Sequence, residues 1–206
     1  MKVIAINGSP RKDGNTYTSL ASMRKIFEDE GIEYEIIQIG TKPVYNCIGC
    51  GQCRKSRDKK CIFKDDVLGE NIDKITSADG LIFGTPVYYA GISGGMKSFM
   101  DRLFYSSASK LAFKPVAGLC SLRRSGGVET FNQLNNYFSL SRSIIVPTSY
   151  WSAFHGAAKG EVVQDLEGMD SAKEIAQNMC WLLKVLASTD VPLPPAMPKA
   201  RTNFIR

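Results

Sequence analysis

Short, continuous apolar runs alternate along the chain with stripes of apolar residues at helical spacing. Lys2 to Asn7 is an apolar, β-branched run ended by Gly8-Ser9-Pro10 and reads as a buried strand. Asn15-Thr16 caps a helical pattern with Leu20, Met23, Ile26 and Phe27 on one face, ending near Gly31. Tyr34 to Ile39 is a second strand, and Asp65-Asp66 caps a short helix through Val67, Leu68, Ile72 and Ile75. Gly80 to Thr85 is a third strand stopped by Pro86, after which Ser93-Gly94-Gly95 opens a helix through Met96, Phe99, Met100, Leu103 and Phe104. Val116 to Leu122 is a fourth strand, Val128 to about Ser141 a helix, and Ile144 to Val146 a short fifth strand before Pro147. Residues 43–63 and 148–168 show neither period and read as loops. The last helix runs from Asp170 to Leu186. Apolar strands joined by helices predict a parallel sheet covered on both faces. Five such units predict a doubly wound sheet of order 2-1-3-4-5, with its ligand beyond the carboxyl ends of the strands. Residues 1–187 read as one domain, and 188–206, with Pro192, Pro194, Pro195 and Pro198, as an extended arm.

Composition narrows the class. Of 206 residues, 44% are hydrophobic and 22% charged, which excludes a disordered, collagen-like or coiled-coil chain. Only Val3 to Ile6 precede Asn7-Gly8, too short an apolar run for a signal segment. No run approaches the ~18 apolar residues of a membrane span. The expectation is a cytoplasmic protein without a membrane partner. The net charge of +6, from 26 Lys+Arg against 20 Asp+Glu, is scattered apart from the run Arg54 to Lys60 and comes with no nucleic-acid recognition motif, so no nucleic-acid partner is expected. That run either steers an acidic electron carrier or an NADPH phosphate, or is a solvated loop.

The cysteines change the picture more. Four of the six form Cys47-x2-Cys50-x2-Cys53-x7-Cys61. In a reducing compartment such a cluster reads as a metal or redox site. Three cysteines at three-residue spacing let one loop wrap a compact cluster, with Gly49 and Gly51 giving it room to turn. Bacterial ferredoxins use these first three spacings for [4Fe–4S] ligation, although here the fourth cysteine is seven residues on and lacks a following proline. Zinc is the rival metal, and an unliganded thiol loop the plainest reading.

Gly8-Ser9-Pro10-Arg11-Lys12-Asp13-Gly14-Asn15-Thr16 joins strand one to helix one. Its glycines, the free N–H groups of the helix start and the donors Ser9, Arg11, Asn15 and Thr16 suit a phosphate. The Walker pattern fails because Asn15 stands where lysine is required, and the Gly-x-Gly-x-x-Gly of dinucleotide binding is absent. A terminal monophosphate such as that of FMN remains, against a plain polar turn. Thr85-Pro86-Val87-Tyr88-Tyr89-Ala90-Gly91 and Ser121-Leu122-Arg123-Arg124-Ser125-Gly126-Gly127 follow strands three and four. Three such loops at one sheet edge suggest a long ligand with a phosphate and a flat heterocycle.

Gly8-Ser9-Pro10-Arg11 with Gly14-Asn15-Thr16, Thr85-Pro86-Val87-Tyr88-Tyr89 with Met96-Lys97 and Asp101-Arg102, and Ser125-Gly126-Gly127 together resemble the NADPH-dependent FMN reductase family of the flavodoxin-like superfamily, and within it the iron–sulfur flavoprotein branch. Tyr150-Trp151, His155-Gly156, Gly160, Asp165 and Glu167-Gly168 look like the family's later loop. The resemblance covers about residues 1–185 and implies a flavodoxin-like fold and FMN as cofactor. Ser9, Arg11, Gly14, Asn15 and Thr16 would then hold the FMN phosphate. Pro86, Val87, Tyr88, Tyr89 and Gly91 would line the isoalloxazine, with Arg124, Ser125, Gly126 and Gly127 on its other side. Cys47, Cys50, Cys53 and Cys61 would ligate a [4Fe–4S] cluster. Family members are dimers or tetramers, so a homodimer or homotetramer is implied. The expected function is an FMN-dependent oxidoreductase passing electrons between NAD(P)H or a ferredoxin-like carrier and an acceptor. The alternatives are an NAD(P)H-dependent FMN or quinone reductase without a cluster, and a non-catalytic flavin carrier or sensor. No side chain is expected as a general acid or base, and His155 reads equally as structural. Cys120 and Cys180 read as core, Asp65-Asp66 as a cap, and Asp101-Arg102 as an ion pair.

Overall fold

The computed structural model describes all residues except 57, 59, 196, 199, 201, 203 and 206. In chain order these form β1 (Lys2–Asn7), α1 (Asn15–Ala21), α2 (Arg24–Asp29), β2 (Glu33–Gln38), α3 (Gln52–Lys55), α4 (Val67–Ser77) and β3 (Gly80–Tyr88). Then come β4 (Gly91–Ile92), α5 (Gly94–Leu111), β5 (Pro115–Leu122), α6 (Gly127–Leu140), β6 (Ile144–Ile145), β7 (Ala153–His155), a 3₁₀ turn (Glu161–Gln164) and α7 (Leu166–Ser188).

The sheet order is β2-β1-β3-β5-β6, all parallel, which is the expected doubly wound order. Two added pairings raise the count from five strands to seven. β4 folds back antiparallel on β3, and β7 runs parallel to β5. The fifth strand is therefore broken: Ile144-Ile145 pairs with the start of β5, Pro147 interrupts it, and Ala153–His155 resumes beside Cys120–Leu122. The pairing of β7 was hidden because its three residues lie inside a stretch without apolar period.

Alternation along β1 separates two cores. Ile4 and Ile6 pack with Leu68, Phe99, Leu103 and Phe138 on one face, while Val3 and Ala5 pack with Phe27, Ile82, Ile175 and Met179 on the other. Each fully buried valine, leucine, isoleucine, phenylalanine or methionine among them contributes roughly 1.5–3 kcal/mol. Cys120 and Cys180 are core residues, and burial pushes their thiols up to about 12 and about 11.

Several boundaries differ from expectation. The single helix expected up to Gly31 is two, because Met23 donates to Leu20 in a tighter turn while the Ser19 and Ser22 hydroxyls bond back to helix carbonyls. Gly14, not Asn15-Thr16, caps α1. Pro86 does not stop β3, because it sits at the last rung of the ladder beside Ser121. Asp165 caps α7 through the Gly168 N–H at 3.0 Å, so that helix starts before Asp170. The cap by Asp66 on α4 is as expected. From Thr189 on, the described residues of the expected arm hold no helix or strand, and 196, 199, 201, 203 and 206 lie outside the described residues. Among the described residues no helix is long and apolar enough to cross a membrane.

Candidate functional site

The loops after β1, β3 and β5 leave the same sheet edge. The register places Asn7 beside Gly84 and Pro86 beside Ser121, so the outer two loops start about 10 Å apart across β3. The loop after β1 is built on side chains the sequence did not single out. The buried Asn7 accepts from the Ser9 N–H at 3.1 Å and donates to Gln38 Oε1 at 2.5 Å. Gln38 in turn donates to the Ser9 carbonyl at 2.6 Å. The signal was a polar residue ending an apolar strand. Ser93, the residue before α5, donates its hydroxyl to the Gly8 carbonyl at 2.8 Å.

Ser9 and Thr16 are buried and Arg11 is exposed at this loop. The first helical bond of α1 runs from Thr18 to Gly14, leaving the N–H groups of Asn15, Thr16 and Tyr17 without helical partners. The Asn15 side chain is turned elsewhere. It donates to the Ala158 carbonyl at 2.9 Å and accepts from the Gly160 N–H at 2.9 Å, tying down the 156–162 segment.

Pro86 to Gly91 form a two-residue hairpin in which Tyr89 and Ala90 both have positive φ, 50° and 55°. That conformation normally selects Asn or Gly, so the pair is strained. Tyr88 is half-exposed, and Tyr89 at the tip is fully exposed. Gln133 of α6 props the turn, accepting from the Ile92 N–H at 3.3 Å. Gly126 has φ +89°, and a Cβ there would lie 2.9 Å from Ala90 Cα and 3.1 Å from Val87 Cγ1. The structure thus sets Gly126 of the loop after β5 against Val87 and Ala90 of the loop after β3. At the end of β5 between them, the buried Ser121 hydroxyl has no partner. An orphaned buried hydroxyl at this end of the sheet fits a polar ligand such as FMN.

Arg124, Ser125, Gly126 and Gly127 also line an open cavity of about 270 Å³ together with Trp151 and His155. His155 Nδ1 lies 3.3 Å from Asp165 Oδ2, and the His155 backbone N–H donates to the same carboxylate at 2.6 Å. Asp165 therefore orients the ring at the cavity wall.

The four cysteines of residues 43–63 are unpaired as disulfides and line one apolar pocket with Ile48 and Phe63. Gly49 and Gly51 have positive φ, as the expected turns require, and Gly51 starts the one-turn α3. Burial and then the nearness of Cys61, Cys50 and Cys47 raise the Cys53 thiol. Among the described residues no three His, Cys, Asp or Glu side chains converge closely enough to hold one metal ion. The donor set, four sulfurs around one pocket with no carboxylate in its lining, is of the kind that holds either an iron–sulfur cluster or zinc. Of the basic run, Arg54 stacks on the Tyr105 ring at 4.4 Å and Lys60 pairs with Asp73 at 2.6 Å, while residues 57 and 59 lie outside the described residues.

Arg102 corrects the expected pairing with Asp101. Asp101 binds Lys97 and the Tyr137 hydroxyl, whereas the fully buried Arg102 pairs with the equally buried Asp66. Burial alone would raise the Asp66 carboxyl. Arg102 and the N–H groups of Gly69 and Tyr45 outweigh it and hold it below the usual range. The missed signal was an arginine three residues after Phe99, at the border of the apolar stripe of α5.

A model of the NADPH-dependent FMN reductase family matches residues 1–158. An iron–sulfur flavoprotein of Methanocaldococcus jannaschii is 34% identical over 197 residues, covering 90% of this chain and 99% of the relative. An NADPH azoreductase of a Bacillus species is 33% identical over 189 residues, covering 91% and 93%. Among solved structures, a flavodoxin from the domain Archaea superposes with a TM-score of 0.55 at 15% identity, covering 87% of this chain and 99% of that one, which places the fold as flavodoxin-like.

Proposed function

Because the chain belongs to the NADPH-dependent FMN reductase family, a family of flavin-dependent oxidoreductases, we propose that it is an iron–sulfur flavoprotein whose two redox groups relay electrons between a reduced donor and an acceptor. The observation that carries this reading is the joining of Cys47, Cys50, Cys53 and Cys61 in one apolar pocket on a flavodoxin-like fold. When bound, FMN supplies the hydride and electron chemistry and a [4Fe–4S] cluster supplies one-electron exchange. The chain's own part is to bind and orient. The Ser9 and Thr16 hydroxyls, the Arg11 guanidinium and the N–H groups from Gly14 to Thr16 hold the phosphate. Asn15 contributes its backbone, since its side chain fixes the 156–162 segment. Pro86, Val87, Tyr88, Tyr89 and Gly91 line one side of the ring, and Arg124 to Gly127 present backbone N–H groups to the other.

The donor in this reading is NAD(P)H or a ferredoxin-like carrier. A homodimer or homotetramer is supported by the exposed Trp181 of α7 and the fully exposed Tyr89. A cytoplasmic setting is supported by four neighbouring cysteines with no disulfide among them.

The test is anaerobic purification, with the visible spectrum, iron and acid-labile sulfide measured on one sample. Flavin bands over a broad absorption near 400 nm, with about four irons per FMN, are expected. Flavin without iron leaves a simple flavin reductase. Zinc in place of iron assigns the thiols to that metal. No flavin after FMN is added back overturns the reading from the first loop onward.

A further inference from the structure

At the neck of the cysteine loop one side chain reaches both of its strands of chain and its last cysteine. The Arg102 guanidinium, fully buried on α5, donates from Nε to the Cys61 sulfur at 3.3 Å, from Nη1 to the Tyr45 carbonyl at 3.3 Å and to Asp66, and from Nη2 to the Phe63 carbonyl at 2.9 Å. Its Cζ lies 5.4 Å from the Phe63 ring centroid, and that ring stacks on Tyr45 at 4.4 Å. One planar fork therefore grips the loop where it leaves the fold, where it returns, and at its last cysteine.

A buried ion pair is a poor device for stability alone, because desolvating both charges offsets most of their attraction and apolar packing does as well. Here the guanidinium also faces a sulfur. Asp66 takes Nη1, leaving the Nε–H aimed at Cys61. A lysine carries the charge but lacks the fixed fork that reaches all these acceptors at once. Resting on the cluster reading above, we infer that Arg102 is a positioning residue for the cluster. It fixes Cys61 as the fourth ligand and donates an N–H···S hydrogen bond that raises the cluster's reduction potential. Net charge and hydrogen bonds to the sulfurs are two of the levers that set such potentials, and partners behind the ligands govern their hold on metal.

The experiment compares the anaerobically purified full chain with Arg102→Lys, and with Arg102→Gln combined with Asp66→Asn, a pair that leaves no buried carboxylate uncompensated. FMN per chain reports folding. Iron and acid-labile sulfide per FMN report cluster retention, and an EPR-monitored redox titration reports potential. The expected result is FMN retained in both variants and a cluster potential shifted negative in Arg102→Lys, which keeps the charge but loses the N–H···S bond. Iron should pass to a chelator roughly 10–100-fold more readily. The inference is overturned if the potential of the clusters that remain in Arg102→Lys matches the unaltered protein, or if iron and FMN fall in parallel, as a purely structural arginine requires. An unaltered protein with FMN but without iron or sulfide fails at the earlier step, the cluster reading itself.

Discussion

The edge of the sheet and the cysteine loop hold their candidate ligands by different means. At the sheet edge the loops start from paired strand ends. The Gly8 N–H donates to the Gly84 carbonyl at 2.7 Å, and Val87 and Ala90 abut Gly126, so backbone contact sets the spacing. Among its described residues the cysteine loop has no strand pairing. Its one regular element among the described residues is a four-residue helix, and side chains hold it: Arg102, Asp66 and two stacked rings at the neck, with Arg54 on Tyr105 and Lys60 on Asp73. A site made from backbone tolerates side-chain change and resents added volume. A site hung on side chains has the opposite sensitivities.

The largest effect expected from this contrast is at the thiols. Cys53→Ala should bring iron and sulfide to near zero while FMN content stays as in the unaltered chain, since Cys53 lines a pocket to which none of the three loops contributes. Loss of FMN together with iron would show that the two sites are one folding unit.

Gly126→Ala should do the reverse. A left-handed backbone costs a non-glycine residue about 1–2 kcal/mol, and crowding against Ala90 Cα at 2.9 Å adds strain of about 1–3 kcal/mol. Fluorescence titration should show FMN affinity reduced roughly 10-fold or more at unchanged iron content. An unaltered affinity would place the ring elsewhere.

Arg11→Ala should weaken FMN by about 10-fold, in line with the roughly 1.5–3 kcal/mol of a hydrogen bond to a charged group. Riboflavin, which lacks the phosphate, should lose nothing. Equal losses for both flavins would remove Arg11 from the phosphate.

The smallest effect concerns a polar cluster outside both sites. Burial, followed by the hydrogen bond to Asp101, pushes the Tyr137 hydroxyl up to about 12. A tyrosine whose folded value lies above its unfolded value of about 10 adds stability below pH ~10 and loses it as pH rises through the folded value. Denaturation curves of the unaltered chain should fall more steeply between pH ~10 and ~12 than those of Tyr137→Phe, with FMN and iron contents equal in the two.

The same contrast explains what the sequence disclosed. Runs such as Lys2–Asn7 and Val116–Leu122 carry their period locally, so the strand order and the loops that follow β1, β3 and β5 were legible. Asn7 and Gln38 were not, because their meaning depends on two strands being neighbours. Arg102 was misread because Asp101 is adjacent in the chain, yet a helix points consecutive residues to different faces, and the true partner lies 36 positions away. The return of the chain to the sheet at Ala153–His155 rests on pairing with β5, which no local pattern announces.

The stacked rings of Tyr45 and Phe63, with the Tyr45 N–H 3.1 Å from Asp66, close the neck of the loop. Whatever lies between those points is topologically a cassette. Doubling the length of a closed loop costs only about 0.6 kcal/mol in chain entropy. The stretch between Cys53 and Cys61 is thus open to insertion and deletion while the frame outside the neck stays unchanged. Descent can rewrite the interior of the cassette many times without renegotiating the fold, provided the residues that shut it are kept.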